Sequence, residues 1–284
     1  MSERATEAPP PTEAIAQGPA FARLPESLAR QLRRARVGLM ARRQDLRDRR
    51  RPLPPGTPEL PPAALRHRVH GSVDREDFLD FGRRWSGLIR ESLAGVGTDL
   101  SALDRVLDFG CGAGRTLIWL AEEGGPRLAG TDIDAPAIEW CRRHLPGGRF
   151  EVNASLPPID FEGEGFDLVY AISVFTHLPA EYQLRWLMEL RRVLRPGGFA
   201  LLTVRGESLW SRLPRNQRET VERTGFDFVR YGVARGEYPE WYGDANQTRE
   251  WTLERYGEHF EVLQYEPGGR GRHRQDLVLL RRPA

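Results

Sequence analysis

Three glycines alternate with other residues at Gly110, Gly112 and Gly114, directly after an apolar run that ends in Asp108 and Phe109. Glycines at this spacing let a backbone take φ > 0 and pass close to a ligand, and amides at the start of a following helix favour a negative group. Asp132 stands 22 residues after Gly110, at the end of the next apolar run. An acidic side chain there is placed to accept hydrogen bonds from the hydroxyls of a ribose. The dinucleotide fingerprint GxGxxG does not fit this loop. Counted from Gly110 its last glycine falls on Arg115, and counted from Gly112 it falls on Leu117. The remaining chemistry is that of proton transfer. Of the six histidines, His177 in SVFTHLP, just past a predicted strand, is the best placed to act as a base; the alternative is that it packs there and orders the loop.

Elements must hold these residues together, and the pattern predicts them. Apolar runs at 105–109, 127–132, 150–153, 166–173 and 199–204 read as strands. Helical patterns fall between them, one opened by the glycine loop with Leu117, Ile118 and Leu120, one over 135–145 and one from Pro179 to Leu194, stopped by RPGG at 195–198. Asp74 can cap a further helix whose Phe78, Phe81, Trp85, Leu88 and Ile89 share one face. Strand and helix in this rhythm predict an α/β fold, a parallel sheet with helices on both faces. Two more strands, 260–265 and 276–280, suit an antiparallel hairpin on its edge.

The spacing DxGxGxG resembles motif I of the class I S-adenosylmethionine-dependent methyltransferases. TDID (131–134) resembles their acidic loop after the second strand. NASLPP (153–158) with FDLVYAISVFTHLP (166–179) resembles the adenine loop and fourth strand, and LRRVLRPGGFALLTV (190–204) the helix, turn and fifth strand. Within the superfamily the chain looks like the small, metal-free bacterial enzymes associated with natural-product or cell-surface glycan pathways. The resemblance implies a Rossmann-like sheet of seven mostly parallel strands and S-adenosyl-L-methionine as cofactor, with no metal site. By the same resemblance Asp108, Gly110, Cys111, Gly112 and Gly114 line the methionine and ribose portions of the cofactor. Asp132 binds the ribose hydroxyls, Ile133 covers one adenine face, and Asn153 stands where the family often has an aspartate. The Ala154 amide serves the ring nitrogen, and Ser173 lies beside the transferable methyl. A position where amino-methylating enzymes of adenine carry (N/D)PP(Y/F) reads SVFT here. The resulting expectation is methylation of a hydroxyl on a sugar, glycan or other small metabolite. A nucleic-acid or protein methyltransferase and a non-catalytic cofactor-binding module are the alternatives.

The rest of the chain sets the organisation. Formal net charge is +2, yet residues 1–51 hold 12 arginines against 6 acidic residues. Residues 1–24 are polar and rich in Pro and Ala, and are expected to form a disordered tail. Residues 25–62 are expected to be a basic helical arm, with leucines at 28, 32, 39 and 46, followed by a Pro-rich linker. The arm's leucine stripe suits a partner or a membrane surface, whereas no aromatic residues interleave its arginines as a nucleic-acid surface would need. The enzyme domain is then expected over 63–284. Within it 206–256 is rich in aromatic residues and reads as a substrate cap, with Tyr238, Trp241, Tyr242 and Asp244 facing the acceptor. No apolar run reaches the length of a membrane span, MSERATEAPPPTEAIAQ is not expected to be a secretory signal, and two isolated cysteines build neither a disulfide framework nor a zinc site. A cytoplasmic location is the expectation.

Overall fold

The computed structural model describes residues 26–54, 57–121, 125–230, 239–268 and 275–284. They fall into two compact units, with the break between Phe78 and Leu79. The expected tail lies outside the described residues.

The first unit is helical. The arginine-rich segment forms α1, Glu26–Arg50, as the leucine spacing predicts. Residues 63–70 form a second helix, α2 (Ala63–His70), grouped with α1. Arg66 ties the two together. Its side chain is buried, pairs with Asp48 of α1 and donates to the carbonyls of Pro61 and Val73. The Ala63 amide donates to Asp45 at 2.8 Å, which satisfies one of the free donors at the start of α2. Asp74 caps α3 (Arg75–Gly95) by accepting from the Asp77 amide at 2.9 Å.

The second unit is a doubly wound sheet of seven strands: β1 (Arg105–Phe109), β2 (Arg127–Asp132), β3 (Arg149–Val152), β4 (Phe166–Ala171), β5 (Leu194–Val204), β8 (Glu261–Glu266) and β9 (Asp276–Arg281). Their order is β3-β2-β1-β4-β5-β9-β8, with β9 antiparallel to both β5 and β8. The central strands are buried on both faces, which explains why they read as continuous apolar runs. Alternation divides them cleanly. Leu107, Phe109, Val169, Ala171, Leu202 and Val204 face α5 (Ala180–Val193) and α7 (Arg249–Gly257), with Trp186, Leu187, Leu190 and Tyr256. Val106, Leu168, Tyr170, Leu201, Leu277 and Leu279 face the other way, onto Phe81, Trp85, Ile89 and Leu93 of α3 and Ile138 and Cys141 of α4 (Ala135–His144).

Two local expectations are corrected. The glycine loop does not open a long helix; a 3₁₀ turn, Leu117–Trp119, follows it. The Gly-Gly-Pro at 124–126 follows closely, and neither glycine nor proline favours carrying a helix further. The fifth strand is also longer than expected. RPGG belongs to it, with the register against β4 shifting between Phe166 and Leu168 and Gly197 at φ +75°. Gly82, in α3, marks a close crossing. A Cβ there would lie 1.9 Å from the Arg115 carbonyl oxygen, so the helix can lie against the end of the glycine loop only because the residue is glycine.

The segment expected as a cap contains helix α6 (Arg215–Thr224) and a separate two-stranded antiparallel sheet, β6 (Phe226–Arg230) with β7 (Gly243–Gln247). Residue Asn246 of β7 bridges to Arg205, just past β5, and the Gln247 amide donates to the Arg205 carbonyl at 3.0 Å. Among the described residues no helix is long and apolar enough to cross a membrane.

Candidate functional site

Strand order reverses between β1 and β4, and at such a switch point the carboxyl ends of the strands leave a crevice for a ligand. The glycine loop, Asp132, Ser173 and Arg205 all follow directly from β1, β2, β4 and β5 at that end.

The loop is held by its own strand neighbours. The Gly110 and Cys111 amides both donate to the Thr131 carbonyl, at 2.7 and 3.1 Å. Gly110, Gly112 and Gly114 have φ of +82°, +52° and +76°. A Cβ on Gly110 would also lie 2.3 Å from Val174 Cγ2, and one on Gly114 would lie 2.6 Å from Leu145. Two thiols, Cys111 and Cys141, lie 3.5 Å from the Gly112 carbonyl. The Cys111 sulfur is buried and packs against β2, where a Cβ on Gly130 would lie 2.8 Å from it, which leaves its backbone as the part that can meet a cofactor. The loop therefore offers a shaped backbone surface rather than the N-terminus of a long helix.

Asp132 is the pivot of the site. Its Oδ2 accepts from the Gly112 amide and its Oδ1 from the Asp134 amide, both at 2.8 Å. Burial pushes its carboxyl up, against the pull of these backbone bonds. A carboxylate takes about four hydrogen bonds, so capacity remains for ribose hydroxyls. Ile133 beside it is 40% exposed, an apolar face suited to one side of an adenine. Asn153 is more committed. Its Oδ1 accepts from Thr131 Oγ1 at 2.8 Å and its Nδ2 donates to the Ala154 carbonyl at 2.7 Å. It shapes the loop that carries the Ala154 amide, with one lone pair and one hydrogen left over.

Asp108 lies under the loop, opposite Tyr170 in the sheet, and accepts from the Tyr170 hydroxyl at 2.9 Å. Burial raises its carboxyl to about 8, while Tyr170 and Arg115 pull it down and Asp132 adds to the rise. Between about pH 4 and about 8 the folded chain thus holds a proton that the unfolded chain has released. Stability must fall as pH rises through that window. Chemical denaturation at several pH values should give Asp108→Asn a slope shallower than wild type by about 1.4 kcal/mol per pH unit. Parallel slopes would mean that the folded carboxyl is ionised throughout.

A second group of residues gathers beside the first. Ser173 has φ +61°, unusual for a residue with a side chain. Its amide donates to Thr203 Oγ1 at 2.7 Å, and its hydroxyl bonds the Gln275 carboxamide. Four residues on, His177 Nδ1 lies 2.8 Å from the Gly243 carbonyl and 3.6 Å from Asp244 Oδ1. A carbonyl only accepts, so Nδ1 carries the hydrogen and the neutral ring keeps its lone pair on Nε2. Tyr242 stacks on the imidazole at 4.5 Å, and Arg205 lies 3.4 Å from Asp244 Oδ1 and donates to Asn246 Oδ1 at 3.2 Å. Of the expected acceptor-side residues, Tyr242 and Asp244 therefore meet His177. Trp241 packs against Tyr182 at 5.3 Å on the edge of the core, and Tyr238 lies outside the described residues.

Sequence reasoning missed the support beneath this turn. Gln183 is fully buried, and its Nε2 lies within hydrogen-bonding distance of the carbonyls of Phe175 and Leu178, on either side of His177, and of Gln247. The Tyr256 hydroxyl donates to its Oε1 at 2.8 Å, and Gln247 donates to Thr252. The signal was available: Gln183 sits on the same helical stripe as Trp186, Leu187 and Leu190, where a polar residue needs a buried partner.

Known proteins resemble part of this chain. Residues 106–198 match a family described as a methyltransferase domain. The chain is 34% identical over 116 residues to the methyltransferase GfsG of Streptomyces halstedii, covering 38% of this chain and 41% of that protein. It is 36% identical over 101 residues to the fatty-acid O-methyltransferase of Mycolicibacterium smegmatis, covering 35% and 36%. It thus spans about two fifths of the length of these curated relatives. A solved structure of the 1,6-didemethyltoxoflavin-N1-methyltransferase of Burkholderia thailandensis, with bound 1,6-didemethyltoxoflavin and S-adenosylhomocysteine, shares its fold. The TM-score is 0.50 at 18% identity, over 72% of this chain and 79% of that one. Sheet order, glycine loop and the aspartate at the end of β2 define a doubly wound α/β domain with a crevice for a ligand at its switch point. Residues 106–198 thus match a methyltransferase domain, and the sheet has the fold of the structure that holds S-adenosylhomocysteine.

Proposed function

We propose that the protein transfers a methyl group to a hydroxyl oxygen of a sugar, glycan or other small metabolite. The observation that carries this reading is the orientation of His177, whose Nδ1 is committed to the Gly243 carbonyl with Asp244 behind it. An oxygen acceptor gives up a proton as its new bond to carbon forms, and His177 Nε2 is the atom that takes it. The imidazolium so formed sits 3.6 Å from the Asp244 carboxylate. The cofactor supplies an electrophilic methyl on a sulfonium, and the protein's work is otherwise to position the two reactants. Asp132 and Ile133 hold the nucleoside, the glycine loop leaves room for the methionine portion, and Ser173 fixes the end of β4. The O-methylating relative named above lends support to an oxygen acceptor.

The test is transfer from radiolabelled S-adenosylmethionine into fractionated cell extract, with Asp132→Ala as the blank. Label in the small-molecule or glycan fraction is expected. Label in protein or nucleic acid would replace this reading with a macromolecular acceptor. Tight cofactor binding without label in any fraction would make the chain a binding module.

A further inference from the structure

Helix α1 has two unlike sides. On one, Ala41 is buried, and Asp45 and Asp48 are engaged by Ala63, Arg66 and Arg75. At 3.6 residues per turn, Leu28, Leu32, Leu39 and Leu46 fall within an arc of about 40° on the opposite side. All four are exposed, by 42, 43, 52 and 55%. Exposed arginines flank this stripe on both sides, Arg42 and Arg49 on one and Arg36, Arg43, Arg47 and Arg50 on the other. Among the described side chains none on this face is acidic.

We infer that this face docks on an anionic lipid surface, with α1 lying along the bilayer and its leucines entering between the headgroups. The charge pattern decides among occupants. A second copy of the helix would set arginines against arginines with no carboxylate between them. An acidic partner helix would use Leu32, Leu39 and Leu46, seven residues apart, as one row of its seam. The companion row three residues on then contains Arg42 and Arg49, which such a seam would bury at high cost. A lipid surface has no such conflict. Guanidinium groups beside a shallow apolar stripe snorkel to the phosphates while their stems cover acyl chain.

The experiment is flotation of the full chain with two kinds of vesicle, phosphatidylcholine alone and phosphatidylcholine with an equal part of phosphatidylglycerol. Binding to the anionic vesicles alone, released by salt, is the expected result. Replacing Arg42 or Arg43 by glutamine should weaken it by about fivefold each, the effect of one basic residue near a charged surface. The double variant Leu39→Gln/Leu46→Gln should weaken it further at low salt. These side chains are exposed, so the variants should melt as wild type does. Failure to float with anionic vesicles overturns the inference, as does flotation indifferent to the leucine pair. A dimer lost with the leucine pair, in a chain that ignores vesicles, would assign the face to a second copy instead.

Discussion

Asp132→Ala should weaken binding of S-adenosylhomocysteine by a factor of about a hundred or more, read by titration calorimetry. Hydrogen bonds to a charged partner contribute about 1.5–3 kcal/mol each, and the ribose presents two hydroxyls. The loss has a second part. Without the carboxylate, the Gly112 and Asp134 amides, now bonded to it at 2.8 Å, lose their acceptors. A buried donor left unmatched costs about 1–3 kcal/mol, so the glycine loop should loosen in the free protein as well. Comparing melts without ligand separates the two parts, because only the second appears there. Asp132→Asn should fall nearly as far, since its NH₂ must face one of the two backbone donors. Affinity unchanged by the alanine variant would remove Asp132 from the nucleoside site.

Most of the sheet was readable because its central strands are sheathed by helices on both sides. Continuous runs such as VLDF and FDLVYA have no other stable place than a buried parallel strand. β9 was readable for the same reason, buried from Asp276 to Leu280. Errors cluster where tertiary contact overrides local preference. GDANQ has almost no strand-forming residue, yet it is β7, since Asn246 and Gln247 are held by Arg205 and Gln183 from other elements. RPGG reads as a stop, yet the edge of β4 draws it into β5. A helix over 63–70 is invisible in AALRHRVH, because what anchors it is one arginine reaching Asp48 across a proline-rich connection.

The site divides along the same line. Asp132 and the glycines were legible because each answers a requirement of the backbone itself, a strand end or a positive φ. Cys111 shares their motif with its sulfur turned toward β2, and position in a loop does not say which way a side chain turns. Partners of His177 lie 66 and 67 residues downstream, and no local pattern announces such a meeting. Gly243 makes it possible: a Cβ there would lie 2.3 Å from the Val229 carbonyl oxygen, so glycine alone lets β7 run close to β6 and bring its carbonyl to the imidazole.

His177→Gln is the sharpest test of the proposed chemistry. A glutamine amide can still donate to the Gly243 carbonyl, so the turn held by Gln183 should keep its shape, while no side-chain atom remains to accept a proton at neutral pH. Loss of a general base costs about 10²–10⁴ in rate. kcat should fall by that order with cofactor affinity unchanged, which separates the residue from the nucleoside site. Asp244→Asn should produce a smaller fall, because it removes the charge 3.6 Å from Nδ1 that favours the imidazolium and leaves the proton-accepting atom in place. A glutamine variant with wild-type turnover would reduce His177 to a ring packed against Tyr242, and the acceptor's proton would have to leave to water.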